Sequence, residues 1–493
     1  MNPLRQLASQ TAIYGLSSIV GRLLNYLLVP LHTRVFNPSE FGVITEMYSY
    51  VAFLLIVLTY GFETAFFRFA RNEEDAPKVY TTASLSLLLS SAVFVGLCLV
   101  FSHPLANAID YPLHAEYIVW FALILATDAI TAIPFARLRL ENKALKFALV
   151  RLMNIAINIG LNLYWLWLCP FLIKNGQMPD WLAPTYNPGI GVGYVFLANL
   201  FAGLATVLIL LPGIIKSLGR PDYALWTRMM GYSLPLLVGG LAGITNEMFS
   251  RVSLKYQLPA EVAMDELGIF GACYKVAILM TIFIQTFRFA AEPFFFSRAK
   301  DKNAPELYAT VMHWFIIACS AIYLVVMLGM QWVQFFVGEE FRVGLSVVPI
   351  LLMANLFLGV FYNLSIWFKL NDKTGLGAWM AIGGALLTIF LNALLIPKYG
   401  YEGASWVTFV VYASMMVVSY LLGQKHYPIP YNLLRCIGYP LLAVGLVYLF
   451  ERFATHIPEA NPVIALFCLM AFIGLVWLIE LRKKSLFSSQ SST

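Results

Sequence analysis

The sequence predicts an all-α integral membrane protein of about fourteen transmembrane helices. Three observations predict it. Of 493 residues, 60% are hydrophobic and only 12% charged, about half the charged share of a soluble domain, and the mean hydropathy is +0.76. Apolar runs of spanning length, roughly 17–25 residues, recur along the whole chain. Lys and Arg concentrate on alternate segments between those runs. The aromatic share of 15% agrees, since Trp and Tyr gather at membrane interfaces.

In chain order the spans fall near 11–31, 43–62, 82–101, 115–134, 148–168, 190–212, 231–250, 269–287, 312–330, 345–367, 379–396, 404–422, 434–450 and 462–480. An even number places both ends on one side. With the N-terminus in the cytoplasm, 21 of the 32 Lys and Arg lie on cytoplasmic segments and 7 on the opposite loops. The remaining four, Arg22, Arg151, Lys275 and Arg435, lie within spans. That bias is the positive-inside pattern, and it predicts both termini in the cytoplasm. A missed helix would scramble the alternation.

The first run is broken by Arg22 and lacks a small-residue cleavage site, so it is expected to be a retained helix rather than a signal peptide. The largest outer segment, about Cys169 to Gly189, is rich in Pro and aromatic residues and too short for a catalytic domain. The Ser-rich stretch from Ser485 to Thr493 is expected to be disordered.

The net charge of +6 implies no nucleic acid, because no soluble region can carry a basic patch. The six cysteines form no CxxC pair and read as small buried hydrophobes. A phosphate-binding GxxxxGK[ST] loop, an HExxH motif, a Cys/His cluster and a GxSxG elbow are all absent. These absences predict that the chain is not an enzyme and carries no cofactor. A membrane-embedded polymerase stays open, although such enzymes need outer loops that this chain lacks.

A weak internal repeat runs through the chain. Tyr14-Gly15-Leu16, Arg34 and Phe41-Gly42 in the first helix region echo Tyr232-Ser233-Leu234, Arg251 and Leu267-Gly268 in the seventh. Leu161-Asn162 in helix 5 echoes Leu391-Asn392 in helix 11. Both pairs are six helices apart, which gives two halves of the same orientation; such repeats hold substrate between them.

Charges inside the spans are the candidate functional groups, since each costs about 2.5–3.5 kcal/mol at the bilayer centre. Thr11, Gly15, Ser18, Arg22 and Asn25 recur at spacings of four and three, one polar face of helix 1 with a cation at its middle. Arg22 is open to ligand binding or to an ion pair with Asp128 or Glu247. Helix 7 repeats the pattern with Gly240, Gly243, Glu247 and Ser250, next to Asn246 and Arg251. Helix 5 carries Arg151, Asn154, Asn158 and Asn162 on one face, and helix 8 carries Lys275. Arg34 lies near an outer helix end, where Glu46 is a candidate partner; Glu63 is expected to neutralise Arg68. Several cations around one cavity suit phosphate, Arg in a bidentate way and Lys as a point charge. They repel a cationic drug. Asp128 and Glu247 are the candidates for H⁺ or Na⁺ coupling. Pro30, Pro235, Pro349 and Pro440 are candidate kinks or hinges.

The stretch Tyr14 to Arg22, continuing through Pro30-Leu31-His32-Thr33-Arg34 to Phe36-Asn37-Pro38-Ser39-Glu40-Phe41-Gly42, resembles the opening of bacterial oligosaccharide flippases of the polysaccharide transport family. Leu391-Asn392, Pro397, Gly400 and Gly403-Ala404 are similar to that family's segment joining helices 11 and 12. Tyr232-Ser233-Leu234-Pro235 and Ala291-Glu292-Pro293-Phe294 also match. The resemblance implies the multidrug/oligosaccharidyl-lipid/polysaccharide (MOP) flippase fold. Its expected divisions are a six-helix lobe over 1–222, a second over 223–425, and two extra helices over 426–493. It implies a flippase of the inner membrane that moves undecaprenyl-diphosphate-linked oligosaccharide to the periplasmic leaflet by alternating access, for O-antigen, capsule or exopolysaccharide assembly. A polysaccharide polymerase and assembly proteins are the implied partners, beside the lipid bilayer itself.

Arg22 matches a cavity arginine of the related lipid II flippases, but their next one falls on Leu28. Ser250-Arg251 stands where many relatives carry Asp-Arg. Helix 1 lacks the acid of many MATE drug exporters, which share the fold. A cation-coupled drug exporter and a lipid II-type flippase remain the alternatives. Arg22, Arg251, Lys275, Arg34 and Arg151 are the expected diphosphate contacts, with Ser18, Asn25, Asn154 and Asn158 as cavity polar groups.

Overall fold

The computed structural model describes residues 20, 21, 23, 24, 26–70, 76–215, 219–371, 373–454 and 461–481. Ser18, Arg22, Asn25, most of the expected first span and the Ser-rich stretch lie outside them.

The described residues are helical, with no strand among them. The helices used below are α1 Val29–Val35, α2 Pro38–Thr59, α3 Phe62–Phe69, α4 Ala76–Val100, α5 Ala115–Leu140, α6 Ala144–Leu163, α7 Gly193–Ile215, α8 Tyr223–Gln257 and α9 Ala260–Val276. They continue as α10 Ile278–Arg298, α11 Ala304–Leu328, α12 Val348–Leu364, α13 Thr374–His426, α14 Leu433–Ala454 and α15 Asn461–Val476. Eleven stretches among the described residues are long and apolar enough to cross a membrane. One of them, α13, holds the expected eleventh and twelfth spans. The expected seventh span lies in α8, a 35-residue helix that is not one of these eleven.

Local chemistry sets the breaks. Asn37 caps α2 by accepting from the Glu40 amide, while Glu40 accepts from the Asn37 amide, the reciprocal capping box. Pro38 sits in the first turn, where its missing N–H costs nothing. Tyr60 and Gly61, both left-handed at φ 33° and 76°, separate α2 from α3. In α13 the chain leaves helical geometry at Gly400, φ 52° and ψ −133°. Pro397 and Gly400 therefore divide two spans. The Glu266 carboxylate accepts the Tyr401 amide at 2.8 Å, replacing a bond that the break removes. A Cβ on Gly400 would stand 2.3 Å from Glu266 Oε2, and one on Gly403 2.6 Å from the Leu395 carbonyl.

Several expectations need correction. The eighth span is two helices, α9 and α10, meeting at Ala277. Pro30 and Pro349 sit in the first turns of α1 and α12, so they start helices rather than kink them, whereas Pro235 and Pro440 lie inside α8 and α14. Glu63 pairs with Arg139 rather than Arg68, and Arg68 lies over the Tyr232 ring at 4.2 Å. Glu46 pairs with Lys255 at 2.8 Å.

The described residues divide into two compact units, within Met1–Lys275 with Ala381–Val407, and within Val276–Met380 with Thr408–Thr493. In the first, Phe62 and Phe66 of α3 pack with Tyr80 and Leu87 of α4, Ile133 of α5 and Met229 of α8. The second contains a core of Phe295, Tyr308, Ile366 and Ile429. There α14 is also clamped by charge: Glu480 accepts from Arg435 and Tyr439, each at 2.8 Å, with His313 Nε2 3.1 Å away.

The echo between helices 5 and 11 has a structural counterpart in the first unit. Asn162 bonds His32 Nε2 at 2.8 Å. Asn392 accepts from Ser250 Oγ at 3.1 Å. Both asparagines are fully buried. His32 lies two residues before Arg34 and Ser250 one before Arg251, so the repeated asparagines tie down the repeated arginine-bearing segments.

Candidate functional site

A cavity of about 310 Å³ opens within the first unit. Its wall comes from α1 (His32), α2 (Thr45, Tyr48, Ser49), α6 (Asn154, Asn158, Asn162), α7 (Asn199), α8 (Met248, Arg251) and α9 (Gly271, Lys275), with apolar residues between. The helix faces explain this. Asn154, Asn158 and Asn162 recur every fourth residue, so one side of α6 is a ladder of amides. Thr45, Tyr48 and Ser49 form the matching stripe on α2. Asn199 is the amide within the apolar run of α7.

These groups orient one another. Asn162 Nδ2 donates to the Asn158 Oδ1 at 2.9 Å and to its carbonyl at 2.8 Å. Its oxygen therefore faces His32, which makes His32 Nε2 the donor. Asn154 Nδ2 donates to Thr206 Oγ1 at 3.0 Å, and Asn199 Nδ2 to the Tyr48 hydroxyl at 2.9 Å. Amides held by such partners, Asn162 buried and the others half-buried, form a pre-oriented polar lining.

Two cations complete it. Arg251, only 6% exposed, donates from Nη1 to the Glu247 carbonyl at 2.7 Å and contacts Met248 Sδ at 2.8 Å. Its guanidinium lies 4.4 Å from the Tyr274 ring centre and 5.7 Å from that of Phe270. Lys275 is half-buried, with Nζ 5.2 Å from the Tyr26 ring centre. Among the described residues, no Asp or Glu lines the cavity and no carboxylate forms an ion pair with either cation. Rings stabilise a cation modestly, but they leave its charge uncancelled. Two positive charges in an acid-free polar cavity create a strong preference for an anion.

The cavity thus brings together Arg251, Lys275, Asn154 and Asn158. Arg34 is exposed on the last turn of α1, with Nη1 bonded to the Pro30 carbonyl at 2.7 Å. Arg151 is exposed near the start of α6, 4.3 Å over the Phe135 ring. Asp128 and Glu247 are exposed on α5 and α8 and are not in the wall. Sequence reasoning passed over Tyr48 and Asn199, and His32 entered it only inside a longer motif. The signal for Asn199 was a single amide in an apolar span.

Beside the cavity, α2 and α8 are bolted together. Glu46, fully buried, accepts from Tyr50 and Tyr111 hydroxyls at 2.6 Å each and from Lys255 Nζ at 2.8 Å. The Tyr50 hydroxyl also meets that of Tyr256 at 2.8 Å. Burial and the neighbouring Glu46 carboxylate push the Tyr111 phenol above its ordinary range, so it stays a donor. Glycines let α9 approach α2: a Cβ on Gly268 would meet the Pro38 carbonyl at 1.9 Å, and one on Gly42 the Met264 carbonyl at 2.3 Å.

Residues 31–169 match a protein family described as "Polysaccharide biosynthesis protein". Comparison with curated protein sequences gives no match. Among solved structures, the chain is similar to the lipid II flippase MurJ in an inward closed conformation. The identity is 12%, the coverage 94% of this chain and 98% of that one, and the TM-score 0.68. It is also similar to a multidrug resistance MATE family transporter of the MOP superfamily, inward-facing, at 13% identity, 84% and 94% coverage and a TM-score of 0.65. A MATE structure in complex with MaD3S gives 15% identity, 86% and 96% coverage and 0.61. The chain is a multi-pass membrane protein with the MOP fold, as the resemblance in its sequence implied.

Proposed function

We propose that this protein is a flippase for an amphipathic lipid whose head group carries phosphate and sugar. The substrate that fits best is undecaprenyl-diphosphate-linked oligosaccharide, moved from the cytoplasmic to the periplasmic leaflet of the inner membrane by alternating access. The observation that carries this reading is the acid-free cavity holding Arg251 and Lys275 within a lining of amides and hydroxyls. The cations match a diphosphate. The amides of Asn154, Asn158 and Asn199 and the Tyr48 hydroxyl match sugar hydroxyls. The family matched over residues 31–169 belongs to polysaccharide biosynthesis, which agrees. The MATE likeness raises drug export as the alternative, but a cationic drug would enter this cavity against two positive charges. A head group bearing lipid II chemistry would fit the same charges.

In this reading the chain makes and breaks no covalent bond. It works beside a polymerase and assembly proteins, with both termini in the cytoplasm, and Asp128 or Glu247 couples transport to H⁺ or Na⁺. The test is binding and flipping in vesicles holding purified protein. Arg251→Ala and Lys275→Ala should each weaken binding of a soluble sugar diphosphate by tenfold or more, about 1.4 kcal/mol, with Arg251→Lys only partly restoring it. Unchanged binding and flipping in the double variant would remove the cavity from the mechanism.

A further inference from the structure

A polar cavity cannot take the hydrocarbon chain of an amphipathic substrate, which stays in the bilayer or lies against an apolar surface of the protein. A separate apolar groove of about 520 Å³ lies in the first unit, on another face of α2 and α8, two of the helices that wall the cavity. Met47, Val51 and Leu54 of α2, Phe94 of α4, and Phe249 and Val252 of α8 help line it. Among the described residues, the wall contains no charged residue and no amide side chain. Its side-chain polar groups are the Cys98 thiol and the hydroxyls of Tyr50 and Tyr117, and that of Tyr50 is turned into the bond with Glu46.

The periodicity of α2 makes it a partition. Residues 44, 45, 48 and 49 line the polar cavity; residues 47, 50, 51 and 54 line the apolar groove. At about 100° per residue, these sets point to roughly opposite sides. One aromatic pair spans the divide: Tyr48 faces the cavity, Phe121 faces the groove, and their ring centres are 5.8 Å apart. Tyr50 belongs both to the groove wall and to the Glu46–Lys255–Tyr256 seam joining α2 to α8. Parting that seam would therefore connect the two spaces.

We propose that this groove receives the long aliphatic chain of the flipped lipid as its head group leaves the cavity between α2 and α8. This rests on the flippase reading and adds a chain-binding site to it. The commitment to the substrate's own chain, rather than a bilayer phospholipid, comes from continuity: the groove shares α2, α8 and the Tyr48–Phe121 contact with the head-group cavity.

The experiment uses the full chain in vesicles, with a photo-crosslinking benzoylphenylalanine placed at Leu54 or at Phe94. The probes are radiolabelled undecaprenyl-diphosphate oligosaccharide, the same head group on a two-isoprene chain, and radiolabelled phospholipid. The long-chain substrate should crosslink, and unlabelled long-chain substrate should compete where a soluble sugar diphosphate does not. Val51→Trp and Ala122→Trp, which fill the groove, should abolish the adduct and slow flipping several-fold, while the short-chain analogue keeps its wild-type affinity for the cavity. Crosslinking to phospholipid alone, equal adducts with both chain lengths, or wild-type flipping in the filled variants would overturn the groove while leaving the head-group site standing. Loss of all binding by the short-chain analogue in the unmodified protein would overturn the flippase reading and the groove with it.

Discussion

Lys255 Nζ lies 2.8 Å from the Glu46 carboxylate, which is wholly shielded from solvent, and the pair ties α8 to α2. Breaking a buried pair from one side strands a charge, at about 3–5 kcal/mol. Lys255→Met and Glu46→Leu should each lower the unfolding midpoint of the purified protein clearly, while the double variant should recover much of the loss. Thermal unfolding in detergent reads this, and an additive double variant would show the two groups to be independent.

Gly400 is held in a conformation that other residues adopt only at about 1–3 kcal/mol, and a Cβ there would strike Glu266. Gly400→Ala should destabilise the protein by at least that much. Trimming the obstacle with Glu266→Ala should not rescue it, because the Tyr401 amide then loses its acceptor. Rescue would show that steric contact alone matters at this break.

Asn162 and Asn392 make equivalent bonds to the two repeated segments. Removing either leaves a buried partner unpaired, at about 1–3 kcal/mol. Asn162→Ala should also impair head-group binding, because Asn158 and His32 lose the group that orients them. Asn392→Ala, whose side chain is outside the cavity wall, should affect stability more than binding. Equal binding in both variants would separate Asn162 from recognition.

The coupling acids are testable by neutralisation. Asp128→Asn or Glu247→Gln should abolish the response of flipping to an imposed H⁺ or Na⁺ gradient in vesicles. A full response in the double variant would exclude both.

Much of the architecture was legible because a bilayer imposes simple rules. Span length and the placement of Lys and Arg led to α2, α4 to α8 and α11 to α15, but not to α3 or to the break between α9 and α10, and the echo of Leu161-Asn162 in Leu391-Asn392 marked two positions that make similar hydrogen bonds. Helix spacing also grouped Asn154 with Asn158. Spacing identifies a face without revealing what covers it, so Arg34 and Arg151 looked like Arg251 although only Arg251 lines the cavity. Lys255 was counted with a loop because α8 runs further than its apolar core. The partners of Glu46 and Glu63, Lys255 and Arg139, are 209 and 76 residues away, contacts that no local pattern encodes.

The most direct test of the central claim is the leaflet distribution of lipid-linked oligosaccharide in cells lacking this protein, measured with a glycan probe confined to the outer face. The flippase account predicts precursor accumulating toward the cytoplasm and loss of the corresponding surface glycan, both restored by the wild-type chain but not by the Arg251→Ala/Lys275→Ala variant. Normal delivery of precursor to the outer leaflet would contradict it.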